Sequence, residues 1–171
     1  KYGKETRGTT FHKETGEIVS LPFEKFFNVG EQEWTQPSTV ALDMQYPWTS
    51  YVAEKRDGSM ITGVVVNDKV RVKTKKSFYS DVAIEAQAHL PAAEEKFVRW
   101  CARYNLCPIF EFTSPNNKVV IDYGQDPGYT LLAIRSMIDG AYTRRDLVES
   151  LARTWRIPVV PTADITFEQM Q

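Results

Sequence analysis

The 171-residue sequence lacks the features that mark membrane, secreted or zinc-binding proteins. No apolar run approaches eighteen residues, so no segment is expected to span a membrane, and no signal-peptide pattern is present. The two cysteines, Cys101 and Cys107, do not form a C-x-x-C pair, and the two histidines, His12 and His89, lie far apart in the sequence. No zinc site is therefore expected, and no residue is assigned to a metal.

A strong net charge is also absent. The formal net charge is −1, which argues against a domain that coats nucleic acid by bulk charge, because such domains are usually strongly basic. Both cysteines are expected to be buried and reduced, which favours a cytoplasmic protein over a secreted one. The sequence begins with Lys1 rather than methionine, and we expect it to be a piece of a longer protein.

The hydrophobic pattern predicts an α+β domain with mostly antiparallel strands and two or three flanking helices. One hairpin is expected over residues 9–20 with its turn at Gly16, and another over residues 59–75 across Asn67 and Asp68, which tolerate positive φ. Further strands are predicted at residues 39–46, 50–55, 108–114 and 118–124, with two more between residues 129 and 142.

Capping residues and apolar periodicity predict the helices. Ser80 can cap a helix that begins at Asp81, and Pro91 opens a second helix. The apolar stripe of that second helix consists of Phe97, Trp100, Cys101 and Tyr104. Thr143 and Asp146 resemble a capping box for a helix over residues 145–156. The segment 157–167 is expected to be extended and to lack the neighbouring strand that its backbone needs.

The sequence EKRDGS, residues 54–59, places a lysine two residues before an Asp-Gly pair. A lysine amine is a nucleophile only when it is deprotonated, which burial and neighbouring cations favour. A reactive lysine here would therefore share a pocket with other cations, which would bind substrate phosphates. The candidate cations are Arg7, Lys25, Lys73, Lys75 and Lys76. Gly58 would let a ligand approach the backbone closely. On spacing alone, Lys55 can equally be a surface lysine in a turn.

One predicted strand has an apolar face and a basic face. Val70 and Val72 alternate with Lys69, Arg71 and Lys73, as expected for a strand with one buried side. The basic face is either a solvated surface or part of a track for an RNA backbone.

Five segments, taken together, resemble the phage-type RNA ligase 1 family of ATP-dependent covalent nucleotidyltransferases. EKRDGS matches the K-x-D-G-S signature, and TRGTTFH resembles A-R-G-x-x-F. LPFEKFFNVGE resembles P-F-x-K-F-F-N, VKTKKSFYS resembles T-K-G-S, and FEFTSPNNKVVIDY resembles F-E-x-x-x-P-x-N-R-I-V. Order and approximate spacing agree from Arg7 to about Tyr123. The chain departs from the pattern at Lys76, which stands where the family has glycine.

The resemblance implies a three-step reaction. Lys55 attacks the α-phosphate of ATP and forms a lysyl-AMP, the AMP moves to an RNA 5′-phosphate, and an RNA 3′-hydroxyl then displaces it. Glu111 is expected to accept a hydrogen bond from ribose hydroxyls, and Arg7 is expected near the phosphates. Magnesium would accompany the triphosphate. The residues that the resemblance assigns to nucleotide binding are Arg7, Lys25, Phe27, Glu54, Gly58, Lys75 and Glu111.

The resemblance also predicts that residues 1–171 form an adenylation domain that stops before the fourth and fifth superfamily motifs. The late carboxylates Asp164 and Glu168 lack the neighbours of those motifs, so this chain alone is expected to be defective in ligation. RNA ends are the expected partners, with tRNA as one candidate, and the protein is expected to be a monomer that does not bind membranes. The alternatives are a DNA ligase or capping enzyme, or a noncatalytic RNA-binding β module.

Overall fold

A computed structural model describes residues 6–46, 51–117, 121, 124, 126–163 and 165–170. Within these ranges the chain forms eight strands and four α-helices. The strands are β1 Thr10–Phe11, β2 Ile18–Ser20, β3 Val52–Ala53, β4 Ser59–Val66, β5 Lys69–Thr74, β6 Leu106–Thr113, β7 Gly128–Ser136 and β8 Thr162–Ala163. The helices are α1 Pro37–Asp43, α2 Asp81–Ala88, α3 Ala92–Arg103 and α4 Arg145–Trp155. The predicted α+β class with antiparallel strands is confirmed.

The central sheet has four strands in the order β5-β4-β6-β7, and each neighbouring pair is antiparallel. Asn67 and Asp68 form the β4–β5 turn with φ values of 48° and 56°. Two consecutive residues with positive φ suit the twist of a tight hairpin, so the predicted hairpin is confirmed.

One face of the central sheet forms the hydrophobic core against α3 and α4. Phe110 and Leu131 point to this face and are fully buried, as are Phe97 and Cys101 of α3. The predicted stripe of α3 is confirmed at these two positions. Its last member, Tyr104, is 61% exposed because it follows the final turn of the helix.

The opposite face of the sheet is covered in part by residues 6–27, which we call the N-terminal strap. The strap contains the β1–β2 hairpin, and Gly16 at its turn has a φ of 74°, which confirms that prediction. Ser20 of the strap and Thr62 of β4 are both buried, and their hydroxyl oxygens lie 2.9 Å apart. Alternation along β4 places Thr62 on the face opposite Ile61.

Three expectations about individual elements are wrong. Residues 37–43 form helix α1 rather than part of a strand, because Pro37 occupies a first-turn position that suits its fixed φ. Residues 129–142 contain one strand and an isolated bridge between Arg135 and Tyr142 rather than two strands. Thr143 does not cap α4, since the residue at its N-cap is Arg144.

The segment after α4 is paired, contrary to the expectation that it would lack a neighbour. Leu131 donates its amide to the carbonyl of Pro158 at 2.8 Å and accepts from the amide of Val160 at 2.9 Å, and β8 pairs with β3. Most of the strand predicted at residues 118–124 lies outside the described residues. In the described part of the chain, no helix combines the length and apolar character needed to cross a bilayer.

The basic face predicted for β5 is corrected at one position. Lys69 and Arg71 are exposed, whereas Lys73 is only 4% exposed, because the strap covers the sheet at that point. Lys73 is therefore not part of a solvated surface.

Candidate active site

A pocket of about 600 Å³ opens on the strap-covered side of the central sheet, a size typical of small-molecule sites. It is built from the strap, the segment between β3 and β4, the end of β5 and the middle of β6 and β7. Its lining residues are Arg7, Phe23, Phe26, Lys55, Arg56, Gly58, Ser59, Met60, Thr74, Lys75, Lys76, Ser80, Glu111 and Leu132.

The segment that carries Lys55 is held against β6 at Gly58. The Gly58 amide donates to Oε1 of Glu111 at 3.0 Å. A Cβ atom built on Gly58 would lie 2.3 Å from the carbonyl oxygen of Phe112, closer than real atoms approach. The glycine is thus required by the backbone of β6, a reason different from the ligand approach that the sequence suggested.

Side chains on both sides of Gly58 brace the same segment. Asp57 Oδ2 accepts a hydrogen bond from the Ile121 amide at 2.7 Å. The Ser59 hydroxyl donates to Oδ1 of Asn117 at 3.0 Å, and the Asn117 side-chain amide donates to the Phe112 carbonyl at 3.1 Å. The loop bearing Lys55 is therefore tied to β6 and to the turn that follows it.

Glu111 is an acidic side chain on the pocket side of β6. Its neighbours Phe110 and Phe112 point into the core, so alternation along the strand directs the carboxylate to the pocket. Glu111 is 9% exposed. Burial raises the pKa of its carboxyl above the ordinary value, while the Gly58 hydrogen bond and the charge of Lys55 act in the opposite direction.

Five cationic residues line the pocket: Arg7, Lys55, Arg56, Lys75 and Lys76. Arg7 comes from the strap, and its guanidinium carbon lies 5.0 Å from the centre of the Phe26 ring. Lys75 and Lys76 directly follow β5, and both line the pocket. The lysine that replaces a glycine in the family pattern thus adds a positive charge to the same cavity.

Three of the predicted site residues lie outside the pocket lining. Lys25 is exposed, with its Nζ 4.7 Å from the ring centre of Phe27, which packs in turn against Trp34. The Glu54 carboxylate lies 3.6 Å from Nε of Arg56. The nucleotide-binding roles of Lys25, Phe27 and Glu54 stay predictions.

Sequence reasoning missed the apolar part of the pocket. Met60 lies opposite Glu111 in the β4–β6 register, and Leu132 and Phe23 add further apolar surface. Alternation could place Met60 on the face away from Ile61, but only the pairing register shows that it adjoins Glu111. Across the described residues, no three His, Cys, Asp or Glu side chains are grouped so as to hold a metal ion.

A sequence profile described as RNA ligase matches residues 5–171, nearly the whole chain. The chain belongs to the RNA ligase family. It is 37% identical over 123 residues to a candidate RNA ligase of Thermovibrio ammonificans, an alignment covering 70% of this chain and 31% of that protein. It is 32% identical over 155 residues to RNA ligase 1 of bacteriophage TS2126, covering 81% of this chain and 36% of the phage protein.

The chain spans about a third of the length of these two RNA ligase family members. The fold is also similar to part of a solved archaeal ATP-dependent RNA ligase, with a TM-score of 0.67 at 15% identity. That match covers 95% of this chain and 42% of the archaeal one. The adenylation-domain fold expected from the family resemblance is thereby confirmed.

Proposed function

We propose that the protein is an ATP-dependent RNA ligase that joins 5′-phosphate and 3′-hydroxyl RNA ends through a lysyl-AMP at Lys55. The observation that carries this proposal is that Lys55, four further cations and Glu111 line one pocket that also has an apolar surface. That combination fits a nucleoside triphosphate, which has an apolar base face, ribose hydroxyls and a strongly anionic tail.

The first step is attack of the Lys55 Nζ on the α-phosphorus of ATP. A P–N bond forms, the P–O bond to the β-phosphate breaks, and pyrophosphate leaves with the bonding electrons. The attacking amine loses its proton to solvent or to a phosphate oxygen. Arg7, Lys75 and Lys76 are positioned at the pocket to stabilise charge on the phosphates, the main protein contribution to phosphoryl transfer.

Glu111 is assigned to the ribose. Its carboxylate already accepts the Gly58 amide, and a carboxylate has further lone pairs for a ribose hydroxyl. Met60, Leu132 and Phe23 supply the apolar surface on which the base would lie. Magnesium is expected to bind mainly through phosphate oxygens and water, as it usually does with nucleotides, and we name no protein ligand for it.

The second and third steps use the RNA ends. A 5′-phosphate oxygen of RNA displaces Lys55 from the AMP phosphorus, which forms a 5′-5′ pyrophosphate linkage and releases the lysine. An RNA 3′-hydroxyl then attacks the activated 5′-phosphate and AMP leaves, so one phosphodiester forms for each ATP consumed. We propose that the active unit is a monomer and that cleaved tRNA is one natural substrate.

A sealing assay with the full-length protein tests the proposal. The protein, ATP and Mg²⁺ are incubated with a 5′-³²P-labelled single-stranded RNA, with a labelled DNA of the same sequence, and with a cleaved tRNA. Conversion of label to a phosphatase-resistant, longer or circular RNA is expected, with little conversion of DNA. Preferential sealing of DNA would favour the DNA-ligase alternative, and no sealing of any strand, with no labelled protein from α-³²P-ATP, would favour the noncatalytic RNA-binding module.

A further inference from the structure

Two buried cations lie on the strap-facing side of the central sheet but outside the pocket lining. Lys73 of β5 is 4% exposed and Arg135 of β7 is 2% exposed. Removing a charged group from water is costly unless hydrogen bonds compensate it. Both side chains direct hydrogen bonds to backbone carbonyls of the strap.

Lys73 binds the strap beside Arg7. Its Nζ donates to the carbonyl oxygen of Gly8 at 2.9 Å. Gly8 has a φ of +80°, and a Cβ there would lie 3.1 Å from the carbonyl oxygen of Lys75, so the strap crosses the end of β5 in close contact. Burial lowers the pKa of the Lys73 ammonium. Within the part of the chain that the structure describes, no carboxylate forms an ion pair with Lys73.

Arg135 binds the strap beside its aromatic residues. Its Nη1 donates to the carbonyl of Pro22 at 2.8 Å, and its Nε donates to the carbonyl of Gly140 at 2.8 Å. The guanidinium carbon lies 4.9 Å from the ring centre of Tyr142.

A series of ring contacts leads from this anchor to the pocket. The Tyr142 ring stacks on Phe23, which meets Phe26 edge to face. Phe26 packs against Arg7 in the pocket wall. The two buried cations therefore contact the strap at the two points next to its pocket-lining residues.

We propose that Lys73 and Arg135 are positioning residues, which hold the strap at the Gly8 and Pro22 carbonyls so that Arg7 and Phe26 line the pocket. Neither residue touches the nucleotide in this account. Only the activity test of this proposal rests on the proposed nucleotidyl transfer at Lys55. Anchoring of the strap can be measured by hydrogen exchange without ATP.

Hydrogen exchange of the full-length protein tests the anchoring directly. Lys73→Met and Arg135→Met keep an unbranched apolar chain and remove the donors. Lys69→Met on the same face of β5 is the matched control, because Lys69 is exposed. Exchange in peptides from residues 6–27 is expected to be about tenfold or more faster in the two test variants, with peptides from α3 unchanged and with no change in the control.

Measuring lysyl-AMP formation in single and double variants distinguishes a role in positioning Arg7 from a general loss of stability. Lys73→Met is expected to slow single-turnover formation of lysyl-AMP by about tenfold. In a protein that already carries Arg7→Ala, the same substitution is expected to slow it by less than about twofold, because the effects of coupled residues are not additive. If Lys73→Met does not fold, Lys73→Gln, whose side-chain amide can still donate a hydrogen bond but carries no charge, is used in both measurements, with smaller losses expected.

Unchanged hydrogen exchange in residues 6–27 of the two test variants would overturn the positioning role. So would a loss of activity from Lys73→Met that is as large in the Arg7→Ala protein as in the parent. A parent protein that forms no lysyl-AMP would instead contradict the proposed function, and the exchange measurement would still decide whether the two cations anchor the strap.

Discussion

Glu111 is the residue at which stability and function are expected to oppose each other. Its carboxylate is buried on the pocket side of β6, and burial raises its pKa. A raised carboxyl pKa means that the fold favours the protonated form. The contribution of this group to stability is therefore full below the ordinary glutamate pKa, near 4.3, and is lost as the pH rises through the higher value of the folded state.

Glu111→Gln is expected to leave the melting temperature at pH 7.5 unchanged or to raise it. Glutamine keeps the shape and can still accept from the Gly58 amide, but it carries no charge to desolvate. The difference from the parent should shrink when melting is measured at successively lower pH towards the ordinary glutamate pKa. A variant that melts well below the parent at neutral pH would show that the ionised carboxylate stabilises the fold.

Glu111→Gln is also expected to raise the ATP concentration that lysyl-AMP formation requires. A hydrogen bond from a ribose hydroxyl to a carboxylate contributes about 1.5–3 kcal/mol, so loss of the charge should raise the ATP concentration needed for half-maximal lysyl-AMP formation by about tenfold or more. Single-turnover rates of lysyl-AMP formation, measured over a range of ATP concentrations, check this. Equal ATP dependence in variant and parent would rule out the ribose contact.

The cations Arg7 and Lys75 are expected to act on the phosphates and not on the fold. Arg7→Ala and Lys75→Ala should each slow lysyl-AMP formation by about tenfold or more, which corresponds to about 1.4 kcal/mol. Their melting temperatures should stay close to that of the parent, because partly exposed charges contribute little stability. Lys69→Ala, an exposed lysine outside the pocket, is the control and should change neither quantity.

If the melting temperature of either variant falls sharply and its remaining activity follows the folded fraction, the two cations are structural. Lys76→Ala extends the comparison, because Lys76 also lines the pocket. A larger loss for Lys76→Ala than for Lys75→Ala would show that Lys76 takes the role that the family pattern gives to its neighbour.

At the scale of elements, α3 packs against β4 at a position that only glycine fits. A Cβ built on Gly63 would lie 2.6 Å from one methyl carbon of Val98 and 2.8 Å from the other. Val98 is β-branched and fully packed, so it cannot rotate away without strain. The contact between Gly63 and Val98 sets the distance between α3 and the central sheet. The pocket lies on the opposite face of that sheet.

Gly63→Ala is therefore expected to lower the free energy of unfolding by about 1–3 kcal/mol, the usual cost of overpacking a core. Combining it with Val98→Ala removes the clashing methyl groups, so the double variant should be more stable than the sum of the two single losses predicts. Denaturant unfolding of the parent, both single variants and the double variant measures the coupling. Additive losses would show that the helix and the sheet do not meet as described.

The elements that could be predicted from sequence are those with strong local signals. Asn67 and Asp68 predict a hairpin turn and Ser80 predicts a helix start, and the structure has both: the Ser80 hydroxyl oxygen accepts a hydrogen bond from the Ala83 amide at the start of α2. Residues 37–43 differ from the predicted strand because Thr39 and Val40 favour strands locally, whereas Pro37 suits the first turn of a helix.

The residues of the candidate site also divide into those with a local sequence signal and those without one. Lys55, Gly58 and Glu111 could be named from their motifs, and strand alternation alone directs Glu111 away from the two phenylalanines beside it. The pocket positions of Met60 and Leu132 depend on strand register, which the sequence does not specify. The burial of Lys73 depends on the strap, and contacts between segments 65 residues apart, such as that of Lys73 with Gly8, leave no local pattern.

At the scale of the molecule, the two faces of the central sheet have different structural roles. One face and its helices supply the hydrophobic core. The other face, the strap and the Lys55 segment enclose the pocket. The chain spans about a third of its relatives from Thermovibrio ammonificans and bacteriophage TS2126, so the activity of the full-length protein is the quantity to measure.

The central claim is that Lys55 becomes covalently linked to AMP, and peptide mass spectrometry tests it most directly. The full-length protein is incubated with ATP and Mg²⁺, digested at neutral pH and searched for the added mass of AMP. The adduct is expected on Lys55 and is expected to be absent from Lys55→Ala and from Lys55→Arg, because a guanidinium stays protonated and is not a nucleophile. AMP on another lysine, or undiminished adduct in Lys55→Ala, would contradict the account.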